Sequence, residues 1–441
     1  MEQRRGQYGC SRYFYDYPND QLHFFMGKLG FPRVYSLYHI GANLFRKLKK
    51  GGEGEKKVFF VKIVLKYVCI NLNLFKEKNT MKKLLILLAA CALGIAYTAP
   101  VIAADWEFYG SARMSTFWED KSKETTAQGQ FDDEDLTWNL QSDSRIGATV
   151  SSGAIAGQFE YGRDPNLRLL YGTWNFGAGT LLVGQDYTPI AYFISNQVWN
   201  TDADLLGFGS SYDGRNPQLK VMMKGFSLAL VKPNVTSATG LVSTETDTTI
   251  PKIVASYDFN LGAFALHLIG GYNSHDDVVV VGTTEREYSI DSYIYGVGFK
   301  FSPGPFYVNG NIYSGKNPNN FGLTDQCQCT QAVGAVYSPA TDSIEDADTL
   351  GYALVVGFKA SDMVAFEAGY GIVKDEIDAG AVTYESDVTA YYVNATINLA
   401  KGFFIVPEVG KIDYGDTEVT GQSDNPQGEI TYVGAKWQVN F

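Results

Sequence analysis

The chain has 441 residues, with Lys+Arg 36 against Asp+Glu 48, a formal net charge of −12. The basic residues crowd the front: residues 105–441 alone carry Lys+Arg 19 and Asp+Glu 42, a net −23. That excess of acid excludes a surface built to bind a nucleic-acid backbone and favours attraction of cations. Residues 105–441 hold no apolar run of 18 residues, which excludes a helical membrane span there.

Residues 1–80 are basic, with Lys+Arg 15 and Asp+Glu 6. Their apolar run Val58–Phe75 is broken by Lys62 and Lys66, and neither helix caps nor a strand period appear. We expect an upstream extension of the gene model, not structured with residues 105–441; a real cytoplasmic basic region is the alternative. Residues 81–104 then read as a secretory signal peptide. Lys82 and Lys83 form a basic start, Leu84–Ala96 is apolar, and Ile102 and Ala104 fit the −3 and −1 positions of a cleavage site. The mature chain is therefore expected to begin at Asp105. An internal transmembrane helix is the competing reading of Leu84–Ala104. Leu88-Ala89-Ala90-Cys91 resembles a lipoprotein box, but Cys91 lies only ten residues after Met81 and apolar sequence continues past it.

From Asp105 the pattern changes to period two, the signature of strands. The first segment, Trp106–Trp118, puts Glu107, Ser111, Arg113 and Ser115 on one face. The second, Leu136–Ser151, alternates Thr137, Asn139, Gln141, Asp143 and Arg145 with Leu136, Trp138, Leu140 and Ile146. Further segments begin near Ile155, Leu167, Thr180, Gln218, Phe226, Lys252, Phe264, Glu287, Phe306, Leu350, Met363, Thr389, Phe403 and Glu429. That makes sixteen, with 14 or 18 if one hairpin is misjudged. Short Gly-containing links such as Lys224-Gly225 and Leu261-Gly262-Ala263 alternate with long ones, Glu119–Asp135, Tyr187–Pro217, Pro233–Ile250 and Lys316–Thr349. Strands apolar on one face and polar on the other, joined by turns at one end and loops at the other, predict an all-β transmembrane antiparallel up-and-down barrel. Lipid cannot satisfy open backbone edges, so the sheet must close. A soluble sandwich would need no such alternation of link lengths. The last strand places Val433, Ala435, Trp437, Val439 and the terminal Phe441 on its apolar face. Tyr432, Gly434, Lys436, Gln438 and Asn440 form the polar one.

Several motifs in 105–441 together resemble the general porins of Gram-negative bacteria. They are Trp106-Glu107-Phe108-Tyr109-Gly110-Ser111-Ala112-Arg113, Ser144-Arg145-Ile146-Gly147, Gly179–Pro189 and the closing Phe441. The resemblance implies a 16-stranded barrel, a homotrimer in the bacterial outer membrane, and a water-filled channel for passive diffusion of ions and small hydrophilic solutes. It implies a long third extracellular loop, here Tyr187–Pro217, folded into the lumen. At the constriction it implies acids Asp202 and Asp204 on that loop, facing Arg113, Arg145 and Arg168 on the opposite wall across a transverse field, with Lys220 and Lys252 as weaker candidates. Family members often carry Arg before Tyr-Thr-Pro, where this chain has Gln185-Asp186. Phe441, Val439 and Trp437 would form the signal read by the barrel-assembly machinery, with both ends of the mature chain periplasmic. Lipid and lipopolysaccharide are the implied partners, and nucleic acid is not.

No cofactor and no metal site are expected in the pore. The acidic run Asp132–Asp135, Asp276-Asp277 and the stretch Ser423–Pro426 could hold Ca²⁺ or Mg²⁺ at extracellular loops, although a solvated surface is the plainer reading. Cys327 and Cys329 are the only mature cysteines, and a loop bridge fits them better than a metal. Enzyme readings fare badly: His267 and His275 are the only mature histidines, and neither a Gly-x-Ser-x-Gly elbow nor His-Glu-x-x-His is present. A substrate-specific porin for oligosaccharide or phosphate is the main alternative. A non-pore adhesin or an outer-membrane enzyme stands behind it. The scattered inward tyrosines Tyr109, Tyr307, Tyr313 and Tyr392 do not decide among them.

Overall fold

The computed structural model describes residues 104–125, 132–281, 284–327, 333–379 and 382–441. The expected extension 1–80, all but the last residue of the expected signal peptide and Cys329 lie outside them.

The strands of the ring are β1 Asp105–Lys121, β2 in two pieces Asp133–Leu140 and Arg145–Ser152, β3 Ile155–Gly162 and β4 Leu167–Asn175. Next come β5 Thr180–Tyr187, β6 Arg215–Met223, β7 Phe226–Val231, β8 Lys252–Leu261, β9 Phe264–Val281 and β10 Thr284–Phe301. The remainder are β11 Phe306–Lys316, β12 Ala347–Lys359, β13 Val364–Ala379, β14 Val382–Ala400, β15 Phe403–Asp413 and β16 Glu429–Asn440. Each pairs antiparallel with its neighbour in sequence. The ring closes where β1 meets β16 over Ser111↔Asn440 to Lys121↔Ile430, giving sixteen strands. No helix among the described residues is long and apolar enough to cross a membrane.

Burial along β12 shows why this ring suits lipid. Leu350, Tyr352, Leu354, Val356 and Phe358 are all exposed, whereas Thr349, Ala353 and Val355 are buried. The larger apolar side chains point away from the interior, the reverse of a soluble protein. β16 has the same pattern: Val433, Trp437 and Val439 are exposed, and Tyr432, Lys436 and Gln438 are buried.

Two expectations need correction. The links at the end bearing the chain termini are short throughout, but those at the far end are not uniformly long. Residues 163–166 join β3 to β4, and β9–β10 and β13–β14 pair right up to tight links, Val281↔Thr284 and Ala379↔Val382. The second strand is not continuous either. It breaks at Gln141–Ser144, where Arg113 donates its backbone N–H to Ser144 Oγ at 3.0 Å and Gln141 its own to the Arg113 carbonyl at 2.8 Å. Such irregularities re-aim side chains. Here the break turns Asp143 into a cluster of charges inside the ring. The acids Asp133, Glu134 and Asp135 sit on β2, paired with β1, rather than in a loop.

Candidate functional site: the pore interior

Residues 188–214 join β5 to β6 and touch inward-facing side chains on much of the ring. His267 on β9 approaches the Pro189 carbonyl at 3.1 Å and stacks on Tyr192 with ring centroids 4.6 Å apart. Asn309 on β11 donates to Ile194 O at 3.0 Å, and Asn394 on β14 to Asn196 O at 2.7 Å. Asn196 N–H donates to Glu367 Oε1 on β13 at 2.6 Å. Glu408 on β15 accepts from Val198 N–H at 2.8 Å and Trp199 N–H at 2.9 Å. The Trp199 indole N–H donates to Glu119 on β1 at 2.9 Å, and its ring stacks on Tyr432 of β16. Gln141, at the β2 break, donates to the Val198 and Asn200 carbonyls.

Three carboxylates thus hold loop backbone or indole N–H groups, bonds roughly twice as strong as neutral ones. The pins balance an awkward backbone. Asn200, Asp202, Asp204 and Leu205 all have positive φ, which for Leu205 at 55° is costly. The loop also fits glycine gaps in the wall. A Cβ on Gly371 of β13 would lie 1.9 Å from the Phe208 carbonyl oxygen. Gly371→Ala is expected to displace the stretch around Phe208 and to change single-channel conductance. An unchanged conductance would show that the stretch has slack there.

The expected site residues do come together, but not as two opposed walls. Arg113 Nη1 lies 2.5 Å from Asp202 Oδ2, and Lys436 Nζ lies 2.8 Å from Asp202 Oδ1. Arg168 pairs with Asp143 at 2.5 Å and Glu160 at 2.7 Å. Arg145 lies 3.2 Å from Asp143 and 3.5 Å from Glu160. The arginines, Lys436, Asp143, Glu160 and Asp202 therefore form one network of interleaved charges, and the transverse field between separated charges is not what this geometry provides. Asp204 sits beside that network. Burial first, and then the charge of Asp202, push its carboxyl well above the usual range.

The weaker candidates are occupied elsewhere. Lys252 is buried and pairs with Asp213 at 2.7 Å while donating to Phe321 O, and Lys220 pairs with Asp186 at 2.6 Å. Both are structural links. Reasoning from the sequence missed Asp143, Glu160 and Lys436 as members of the network, and Glu119, Glu367, Glu408 and Gln141 as loop holders. An acid on the inward phase of a strand is the signal that could have found most of them. Tyr307 and Tyr392 both donate to Glu367, so they serve the loop anchor rather than an aromatic track. His267 is held between Asp258 and the Pro189 carbonyl, with no nucleophile in the arrangement. Among the described residues Cys327 is a free thiol and packs near the carbonyls of Val373 and Ser386; the bridge expected to Cys329 falls outside them.

The family model described as Gram-negative porin matches residues 88–417, about three quarters of the chain. The chain belongs to the Gram-negative porin family. Among solved structures, the outer-membrane channel DcaP of Acinetobacter baumannii is similar at 14% identity. The match covers 77% of this porin and 98% of DcaP with a TM-score of 0.58. OmpT of Vibrio cholerae matches at 18% identity over 77% of this chain and 99% of its own, TM-score 0.49. An anion-selective porin from Comamonas acidovorans matches at 12% identity over 77% and 100%, TM-score 0.49. At 14% identity the likeness to DcaP speaks to the fold alone. No curated protein matches the chain. Family and fold make this porin an outer-membrane channel rather than an enzyme.

Proposed function

We propose that this porin passes ions and small hydrophilic solutes by passive diffusion with a preference for cations, and that residues 188–214 narrow its lumen. The observation that carries the preference is the charge balance around that segment. Arg113, Arg145, Arg168 and Lys436 pair with three acids, Asp143, Glu160 and Asp202, and Glu367 and Glu408 on the same inner wall bring the acids to five against four bases. Glu367 and Glu408 face the same space and take their hydrogen bonds from backbone, Tyr and Asn donors instead of cations. Fixed negative charge in a narrow aqueous passage enriches cations. The reversal potential of reconstituted channels in a KCl gradient is expected to have the sign of cation preference. The anion sign would reject the reading.

Asp204 adds a pH dependence. Its raised pKa means that it takes up a proton at a higher pH than an ordinary carboxylate, so its charge is lost earlier on acidification than theirs. Cation preference is expected to weaken on acidification before ordinary carboxylates titrate. Asp204→Asn should remove that early step and keep the later one; an identical pH profile in the variant would count against it.

The family likeness supports a homotrimer with both chain ends periplasmic, contacts with lipid and lipopolysaccharide, and assembly by the barrel-assembly machinery through Trp437, Val439 and Phe441. Ca²⁺ or Mg²⁺ bridging exposed carboxylates such as Asp133 and Glu134 to lipopolysaccharide belongs to the same reading. Cross-linking in intact membranes tests the trimer.

A further inference from the structure

Away from the arginine network, the inner wall carries a second polar cluster that no ion pair explains. Thr349 on β12, Asp375 on β13 and Ser386 on β14 lie in one cross-strand row, Thr349↔Asp375 and Asp375↔Ser386. They are 3%, 2% and 3% exposed. Thr349 Oγ1, both carboxylate oxygens of Asp375 and Ser386 Oγ lack a hydrogen bond of normal geometry. The segment Leu323–Cys327 lies over this row and brings a second carboxylate, Asp325, whose buried Oδ2 is equally unpartnered. It also brings the Cys327 sulfur, 3.9 Å from the Val373 and Ser386 carbonyl oxygens. One oxygen of Asp325, one of Asp375 and the sulfur of Cys327 all lie within 4.8 Å of one another.

Two carboxylates buried side by side need a counter-charge or a proton, and buried hydroxyls left without partners are rare in finished interiors. One bound cation answers both demands. The donor set says which kind. A thiolate among carboxylates is a poor match for Ca²⁺ or Mg²⁺, which take oxygen only, and a good one for zinc. Zinc bonds sulfur at about 2.3 Å and carboxylate oxygen at about 2.0–2.2 Å, so small rotations would close these three donors on one ion. Thr349, beside Asp375 on the neighbouring strand, is then available to hydrogen-bond its outer carboxylate oxygen, the supporting role that metal ligands ordinarily require.

We propose that Asp325, Cys327 and Asp375 form a binding site for a zinc-class divalent cation, with water as a fourth ligand. Binding releases the Cys327 thiol proton and ties the segment Leu323–Cys327 to β13. That segment holds the pore loop in turn: Thr324 N–H donates to Tyr212 O at 2.7 Å, and Gln326 N–H to Gly207 O at 3.2 Å. The ion would therefore brace residues 188–214 from behind, although the site itself does not depend on the channel reading.

The test uses protein isolated from membranes in detergent, reduced, stripped with chelator and titrated with Zn²⁺ alone. One ion per chain is expected, unaffected by excess Ca²⁺. Co²⁺ in its place should give a thiolate-to-metal absorption band. Cys327→Ser and Asp375→Asn should each weaken Zn²⁺ binding by about tenfold or more, and Cys327→Ser should abolish the band. Binding unmoved by either variant, or no binding by the parent protein, would overturn the site. Should the variants fail to fold, alkylation of Cys327 in the parent protein decides. Zn²⁺ must protect that thiol, and equal labelling with and without Zn²⁺ refutes the proposal.

Discussion

Deleting Phe441 is expected to remove most of the protein from the outer membrane while leaving the conductance of any assembled channel unchanged. The residue closes the ring. Its N–H donates to Gly110 O at 3.0 Å, and its carbonyl accepts from Gly110 N–H at 2.8 Å. Its ring lies over Gly110, where a Cβ would come within 2.6 Å of it, so β1 leaves room there by carrying glycine. Phe441 is 71% exposed and continues the outer apolar face of Trp437 and Val439. Losing two backbone hydrogen bonds costs about 1–3 kcal/mol in all. More important, the deletion leaves the end of β1 unpaired at the seam, and lipid offers backbone groups no substitute partner. The lumen lies across the wall from this face, so ion flow through survivors should not change. Folded barrel in the outer-membrane fraction and single-channel conductance are the two readouts. Normal levels of the deleted protein would show that closure and export do not depend on this residue. Phe441→Ala separates the parts, since it keeps the backbone pair and removes only the ring.

The barrel was legible in the sequence because its physical cause is local. Residues two apart share a face, so lipid on one side and an aqueous or packed interior on the other write themselves into every strand. Ala347–Lys359 shows this without exception from Ala347 to Val356. The starts of the other segments also stand within a few residues of the observed ones, except where hairpins run on, as β14 does from Val382 rather than Thr389. The break at Gln141–Ser144 left no such mark. Its cause is the hydrogen bonding of Ser144 to Arg113 and of Gln141 to the far loop, and period-two polarity carries straight through it. The interior was legible only in part for the same reason. Phase put Arg113 and Arg145 on the inner face, but nothing local reveals that Asp202 pairs with the first, or Glu160 with the second. Nor does it reveal that Trp199 finds its acceptor on Glu408, 209 residues away.

Glu408→Ala should produce the largest change in the pore itself. The carboxylate accepts Val198 N–H, Trp199 N–H and the Asn394 amide at 2.8–2.9 Å, and the two loop donors are buried. Each buried donor left without a partner costs about 1–3 kcal/mol, enough in sum for the loop to abandon this geometry rather than endure it. The neighbouring pins should limit how far it goes. Asn196 stays on Glu367, and Arg113 and Lys436 still hold Asp202. The barrel should survive, because β15 keeps its ladders to β14 and β16 whatever side chain stands at 408. We therefore expect normal assembly with larger or noisier single-channel currents. Glu408→Gln tells charge from anchorage. It removes the same negative charge as the alanine variant but keeps one amide oxygen able to accept a loop N–H. If anchorage sets the width of the passage, the glutamine channel should conduct like the parent, although its cation preference falls with that of the alanine channel. If the two variants conduct alike, Glu408 acts on ions only through its charge, and the width of the passage is held by the remaining pins.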